Sequence, residues 1–132
     1  MPEHILRLTL LPEELMVVRL NPSDPIPAWA FAAGGLVSIT RTADELSIIC
    51  PPQAHLPEGA VVSAGWRALR FEGPFAFDQV GVMVAVAKPL AQAGVSILAL
   101  ATYDTDYLLV KNEQLPLALQ AVRAAGHRVH AD

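Results

Sequence analysis

Gly94-Val95-Ser96-Ile97-Leu98-Ala99-Leu100-Ala101-Thr102-Tyr103-Asp104-Thr105-Asp106-Tyr107-Leu108-Leu109-Val110 is the stretch on which the fold turns. Two apolar runs, Val95 to Ala101 and Asp106 to Val110, flank a polar corner. Runs of that length rich in β-branched and aliphatic residues read as neighbouring strands with buried character on both faces. The corner puts hydroxyls, a phenol and two carboxylates into five residues, Thr102 to Asp106. Upstream, Asp78 is placed to cap a helix running through Ala93, with Val82, Val86, Leu90 and Ala93 as its apolar stripe and Gly94 at the helix-ending position. Pro89 lies inside that helix and has no N–H for the carbonyl of Ala85, so a bend is expected.

Downstream, Asn112 is placed to cap a second helix, Glu113 to Ala125, with Leu115, Leu119 and Val122 at helical spacing and Gly126 after its end. His127 to His130 reads as a last strand, and Trp66 to Phe71 as the strand before the first helix. The second half is therefore β-α-β-β-α-β, the ferredoxin-like order of an α+β fold, with antiparallel strands and both helices on one face.

The first half reads as a reduced copy. Strands are expected at Ile5 to Leu11, where apolar and polar positions alternate, and at Met16 to Leu20. Asn21 to Pro27 holds three prolines and interrupts any element. A helical turn at Ala28 to Ala32 precedes a hairpin, Leu36 to Thr40 and Glu45 to Cys50, and residues 53–65 read as irregular. Ser38 to Leu46 set against Leu100 to Leu108 gives strand, Thr-containing corner, acid, strand in both halves. A division into 1–65 and 66–132 follows.

Composition narrows the function. Apolar residues make up 53% of the 132 and charged ones 17%, enough for a core and with apolar surface to spare for self-association. Nine basic residues are scattered and the net charge is −4, which excludes the basic footprint of a nucleic-acid binder. The longest apolar stretch, near Val80 to Leu90, contains Lys88 and Pro89 and is too short to span a bilayer. Met1 to Ile5 lacks the pattern of a signal peptide, and the cytoplasm is the expected setting. The one cysteine, Cys50, sits in an apolar run as a core filler. Of the four histidines only His127 and His130 are close, and a three-residue offset on a strand turns them to opposite faces. Ser63 lacks the glycine that a nucleophile elbow needs before it, and no Gly-rich phosphate loop is present. No catalytic residue, metal site or cofactor is expected.

With these elements placed, the chain resembles the ACT-domain superfamily, and within it the paired-ACT proteins that include the CASTOR arginine sensors. The resemblance rests on Ser38 to Cys50 in the first half. In the second it rests on Gly81, Pro89-Leu90-Ala91-Gln92-Ala93-Gly94-Val95-Ser96-Ile97, and Thr102 to Val110. ACT domains are regulatory modules that commonly bind amino acids where two copies meet. Carried over by position, the resemblance implies ligand contacts at Gln79, Gly81 and Val82 at the helix start, at Ser96 and Ile97, and at Thr102, Tyr103 and Asp106. The amides at a helix start suit a carboxylate, and Asp106 suits an ammonium. Asp104 reads as a turn residue. Ala101 stands where the sensors have a serine, and arginine itself is not implied. Only one full repeat is present, so a complete site calls for a homodimer, with a regulated partner protein beyond it. A ligand-free oligomerisation or docking module is the other reading of the same apolar chain.

Overall fold

The computed structural model describes residues 5–32, 34–72 and 81–131. The chain forms two compact units, one of residues 1–12 with 67–132 and one of 13–66. This partition differs from a boundary at 65/66, because the N-terminal strand joins the C-terminal half.

In the first unit, β1 (Arg7–Leu10) pairs antiparallel with the end of β5 (Val61–Phe71), Leu8 opposite Phe71 and Leu10 opposite Leu69. On its other side β1 pairs in parallel with β8 (Arg128–Ala131), Leu8 opposite Val129. β7 (Asp106–Lys111) pairs with β5 and with β6 (Ile97–Ala101), giving the order β6-β7-β5-β1-β8. The ferredoxin-like α+β pattern is present, with β1 inserted as an additional strand and one parallel pair. Two helices, α2 (Val82–Gln92) and α3 (Leu115–Ala124), pack against this sheet. Val82, Val86 and Leu90 are buried against Leu8, Leu69, Phe71, Leu108 and Val110. Burying each such side chain stabilises by about 1.5–3 kcal/mol. α3 contributes Ala118 and Val122, while Leu115 and Leu119 are only partly buried.

Gly94 ends α2 with φ +80°, its N–H donating to the Ala91 carbonyl at 3.0 Å and that of Val95 to the Leu90 carbonyl at 3.0 Å. A glycine pays no Cβ penalty there. The expected Asp78 cap lies outside the described residues; α2 starts from Gly81, at φ +87°, without a side-chain cap. Asn112 is not a helix cap either. It opens a single 3-10 turn, Asn112–Gln114, that leads into α3, with Pro116 in the first turn of the α-helix, where no N–H is missed. The strand β6 is half-buried to exposed rather than buried on both faces.

The second unit holds β2 (Leu15–Leu20), a one-turn α1 (Trp29–Ala32), β3 (Ser38–Arg41) and β4 (Leu46–Cys50). Its strands pair antiparallel as β3-β4-β2, followed by the first residues of β5 with Val18 opposite Val62. β5 thus begins at Val61, inside the stretch expected to be irregular, where two exposed valines signal β-propensity and no apolar alternation. Met16, Val18, Leu20, Ala30, Leu46, Ile48 and Cys50 form this unit's core.

Candidate functional site

The corner between β6 and β7 is a turn built by one threonine. Thr102 N–H donates to the Thr105 carbonyl at 2.8 Å and its hydroxyl to the same oxygen at 3.0 Å. Thr105 N–H donates back to the Thr102 hydroxyl at 3.3 Å. Threonine favours such turns because its hydroxyl reaches nearby backbone. The Thr105 hydroxyl donates to the Phe71 carbonyl at 2.6 Å, tying the corner to the end of β5. The Thr102 hydroxyl is thereby occupied by the turn. Tyr103 projects outward at 80% exposure, and Asp106 stands half-buried opposite Ala101 at the base of the hairpin.

The other expected contacts are elsewhere. Ser96 lies just before β6, at the far end of the strand from Thr102. Six residues of extended chain separate them, roughly 20 Å at 3.3 Å per residue. Ser96 N–H already donates to the Gln114 side-chain carbonyl at 3.3 Å, and the Gln114 amide donates to the Gly94 carbonyl at 3.4 Å. Gln114, immediately before α3, thereby bridges the backbone of Gly94 and Ser96. Ile97 pairs with Val110 and packs partly on the core. Val82 is 5% exposed, so its side chain is a core contact and not a pocket wall. Gly81 accepts the Ala85 N–H at 3.0 Å. Gln79 lies outside the described residues.

A cleft of about 360 Å³ opens beside α2, lined by Gly81, Val84, Ala85, Lys88, Pro89, Gln92, Ala125 and His127. Its floor is set by the proline. Pro89 supplies no N–H for Ala85, and the His127 Nε2 takes its place, 2.8 Å from that carbonyl. The His127 Nδ1 accepts the Leu6 N–H at 3.1 Å, which fixes the proton on Nε2. His127, 5% exposed, precedes β8 instead of forming part of it. His130 lies on β8 with Nε2 3.1 Å from both the Glu72 carboxylate and the Thr9 hydroxyl. Among the described residues no group of three or more His, Cys, Asp or Glu is placed to hold a metal ion. Burial pushes the Cys50 thiol up, away from nucleophilic use. Among the described residues no helix is long and apolar enough to cross a membrane.

Residues 61–124 match the family model described as an ACT domain, and residues 13–58 match a second model described as an N-terminal domain. The chain is 27% identical over 107 residues to the cytosolic arginine sensor for mTORC1 subunit 1 of Rattus norvegicus. That alignment covers 76% of this chain but 30% of the sensor, so the chain spans about 30% of the length of that relative. The crystal structure of an Agrobacterium tumefaciens protein is similar at TM-score 0.88 and 40% identity, covering 98% of this chain and 95% of that one. The ligand-free regulatory subunit of aspartate kinase from Thermus thermophilus shares the fold at TM-score 0.61 and 14% identity, covering 86% and 93% of the two chains. With the ACT model matched through β5, both helices and the β6–β7 hairpin, and the ferredoxin-like order around them, residues 61–124 form an ACT domain.

Proposed function

We propose that the chain is a non-catalytic regulatory module that binds a small amino acid at an edge shared by two copies. The observation that carries this reading is β6: an uncharged strand paired on one side only, by β7, among the described residues, with Asp106 at one end and Ser96 at the other. An open edge of unpaired backbone groups is a template for a further strand. An amino acid is far shorter than the distance from Ser96 to Thr102, so one chain does not offer both ends to one ligand. Two β6 strands paired antiparallel about Ala99 set Ser96 of one copy opposite Thr102 of the other. Each ligand then meets the Asp106 carboxylate of one chain and the backbone near Ser96 of the second. The side chain of Asp106 pairs with the ammonium in a charge-assisted hydrogen bond.

The arginine-sensor relative supports the ligand class and a cytosolic setting; it does not specify arginine. Binding regulates through differential affinity for paired and unpaired states, and the paired state presents the surface for a regulated partner protein. The test is a thermal-shift screen against the twenty amino acids, with molecular mass followed by light scattering. One amino acid raises the melting temperature, and Asp106→Ala abolishes the response. Saturating ligand at a hundredfold over its dissociation constant stabilises by about 2.7 kcal/mol. Ala99→Lys, an edge charge, yields a monomer that no longer responds. A flat screen on a stable dimer would instead establish ligand-free oligomerisation, which the apolar edge serves equally well.

A further inference from the structure

We infer that the cleft beside α2 is a second binding site, for a small monocarboxylate that carries no amino group. The cleft, about 360 Å³, is in the size range of small-molecule pockets. Val84, Lys88 and Gln92 recur at four-residue intervals and so share one face of α2. They give an apolar wall, a cation and an amide in succession, with Pro89 and Ala125 extending the apolar lining. The floor is rigid, because the His127 ring is held at both nitrogens, by Leu6 and by Ala85.

Charge selects the ligand. Among the described residues no aspartate or glutamate lines the cleft, and none lies on α2, so Lys88 has no acidic neighbour on its own helix. A carboxylate pairs with the Lys88 ammonium, and the Gln92 amide donates to an adjacent carbonyl or hydroxyl oxygen. An α-ammonium placed there would meet Lys88 with no carboxylate to offset the repulsion. A 2-oxo acid fits these groups, its short aliphatic end against Val84 and Pro89, where the corresponding amino acid does not. The corner at Asp106 has the opposite preference, since it supplies an acid for an ammonium. The two sites therefore discriminate between an amino acid and its deaminated counterpart.

The probe is 3-methyl-2-oxobutanoate, with valine as the matched amino compound, titrated into the isotope-labelled full chain and followed by amide NMR shifts. Saturable shifts are expected in residues 84–92 and 125–127 with the oxo acid, with valine weaker by at least about tenfold there. Lys88→Gln, an exposed position, keeps the melting temperature and weakens the oxo acid by roughly tenfold. Val84→Trp fills the cleft without touching the charge and abolishes the shifts. Absence of saturable shifts at millimolar oxo acid, equal affinity for valine, or an unchanged affinity in Lys88→Gln overturns the inference. Responses of the edge site are read at Asp106 and its neighbours, so failure of one site is distinguishable from failure of the other.

Discussion

The two hairpins of the molecule, β3–β4 and β6–β7, turn in the same way. Thr42 N–H donates to the Glu45 carbonyl at 2.9 Å, and the Thr42 hydroxyl accepts the N–H groups of Asp44 and Glu45 at 3.1 and 3.2 Å. Thr102 does the equivalent work sixty positions later. Their surroundings differ. In the first hairpin the residue that follows the turn is Leu46, wholly buried; in the second it is Asp106, half-buried. Arg19 donates to the Asp44 carbonyl at 3.0 Å, and Arg41 donates to the carbonyls of Pro22 and Asp24, so the first corner is bound to its neighbours by cations. The second is tied to the end of β5 by the Thr105 hydroxyl and keeps its acids beside a strand edge that is open among the described residues. One local turn thus leads into a buried leucine in one place and into a half-buried acid in the other.

Moving the acid breaks the comparison most severely. Leu46→Asp gives the first hairpin the second one's residue, and an unpaired buried charge costs about 4 kcal/mol, visible in urea unfolding as a collapse of the transition midpoint. Next comes the contrast between turns, which satisfy their backbone locally, and α2, which is satisfied from a distance. His127→Ala leaves the Leu6 N–H and the Ala85 carbonyl without partners and costs about 2–3 kcal/mol. Pro89→Ala returns an N–H to Ala85, so a double-mutant cycle shows a smaller loss for His127→Ala in that background. The likeness of the two turns is tested by Thr42→Val and Thr102→Val, which each lose about 1 kcal/mol in the same unfolding assay. Unequal losses would show that one turn is held mainly by its neighbours. The smallest effect on stability is that of Asp106→Leu, within about 0.5 kcal/mol as befits a surface substitution, while the amino-acid thermal shift disappears.

The correspondence between the hairpins was legible in the sequence, but its register was not. Aligned by composition, Ser38 falls on Leu100 and Asp44 on Asp106. Paired by structure, Arg41 opposite Leu46 matches Ala101 opposite Asp106, two positions away. Thr and Asp recur at short intervals in both corners, so composition alone fits more than one register, whereas the backbone bonds of the turn fit one. Of the positions singled out, Gly81 opens α2 at a positive φ, as a glycine's conformational freedom leads one to expect. Val82 could not be told from a pocket residue, because an apolar side chain at a helix start has the same sequence whether it faces the core or a ligand. From sequence His127 reads as strand, since nothing near it in the chain reveals a proline one helix away.

The sequence by itself determined the order of the elements, the two helix ends at Gly94 and Gly126, the hairpins and the ferredoxin-like class. These follow from periodicity and glycine placement, which act over a few residues. Tertiary structure decided that β1 enters the sheet between β5 and β8, that Leu6 and His127 meet across 121 positions, and that Ser96 and Thr102 lie at opposite ends of a strand. Those outcomes depend on which buried faces and unpaired backbone groups find each other once the chain has collapsed, and no window of neighbouring residues contains both partners.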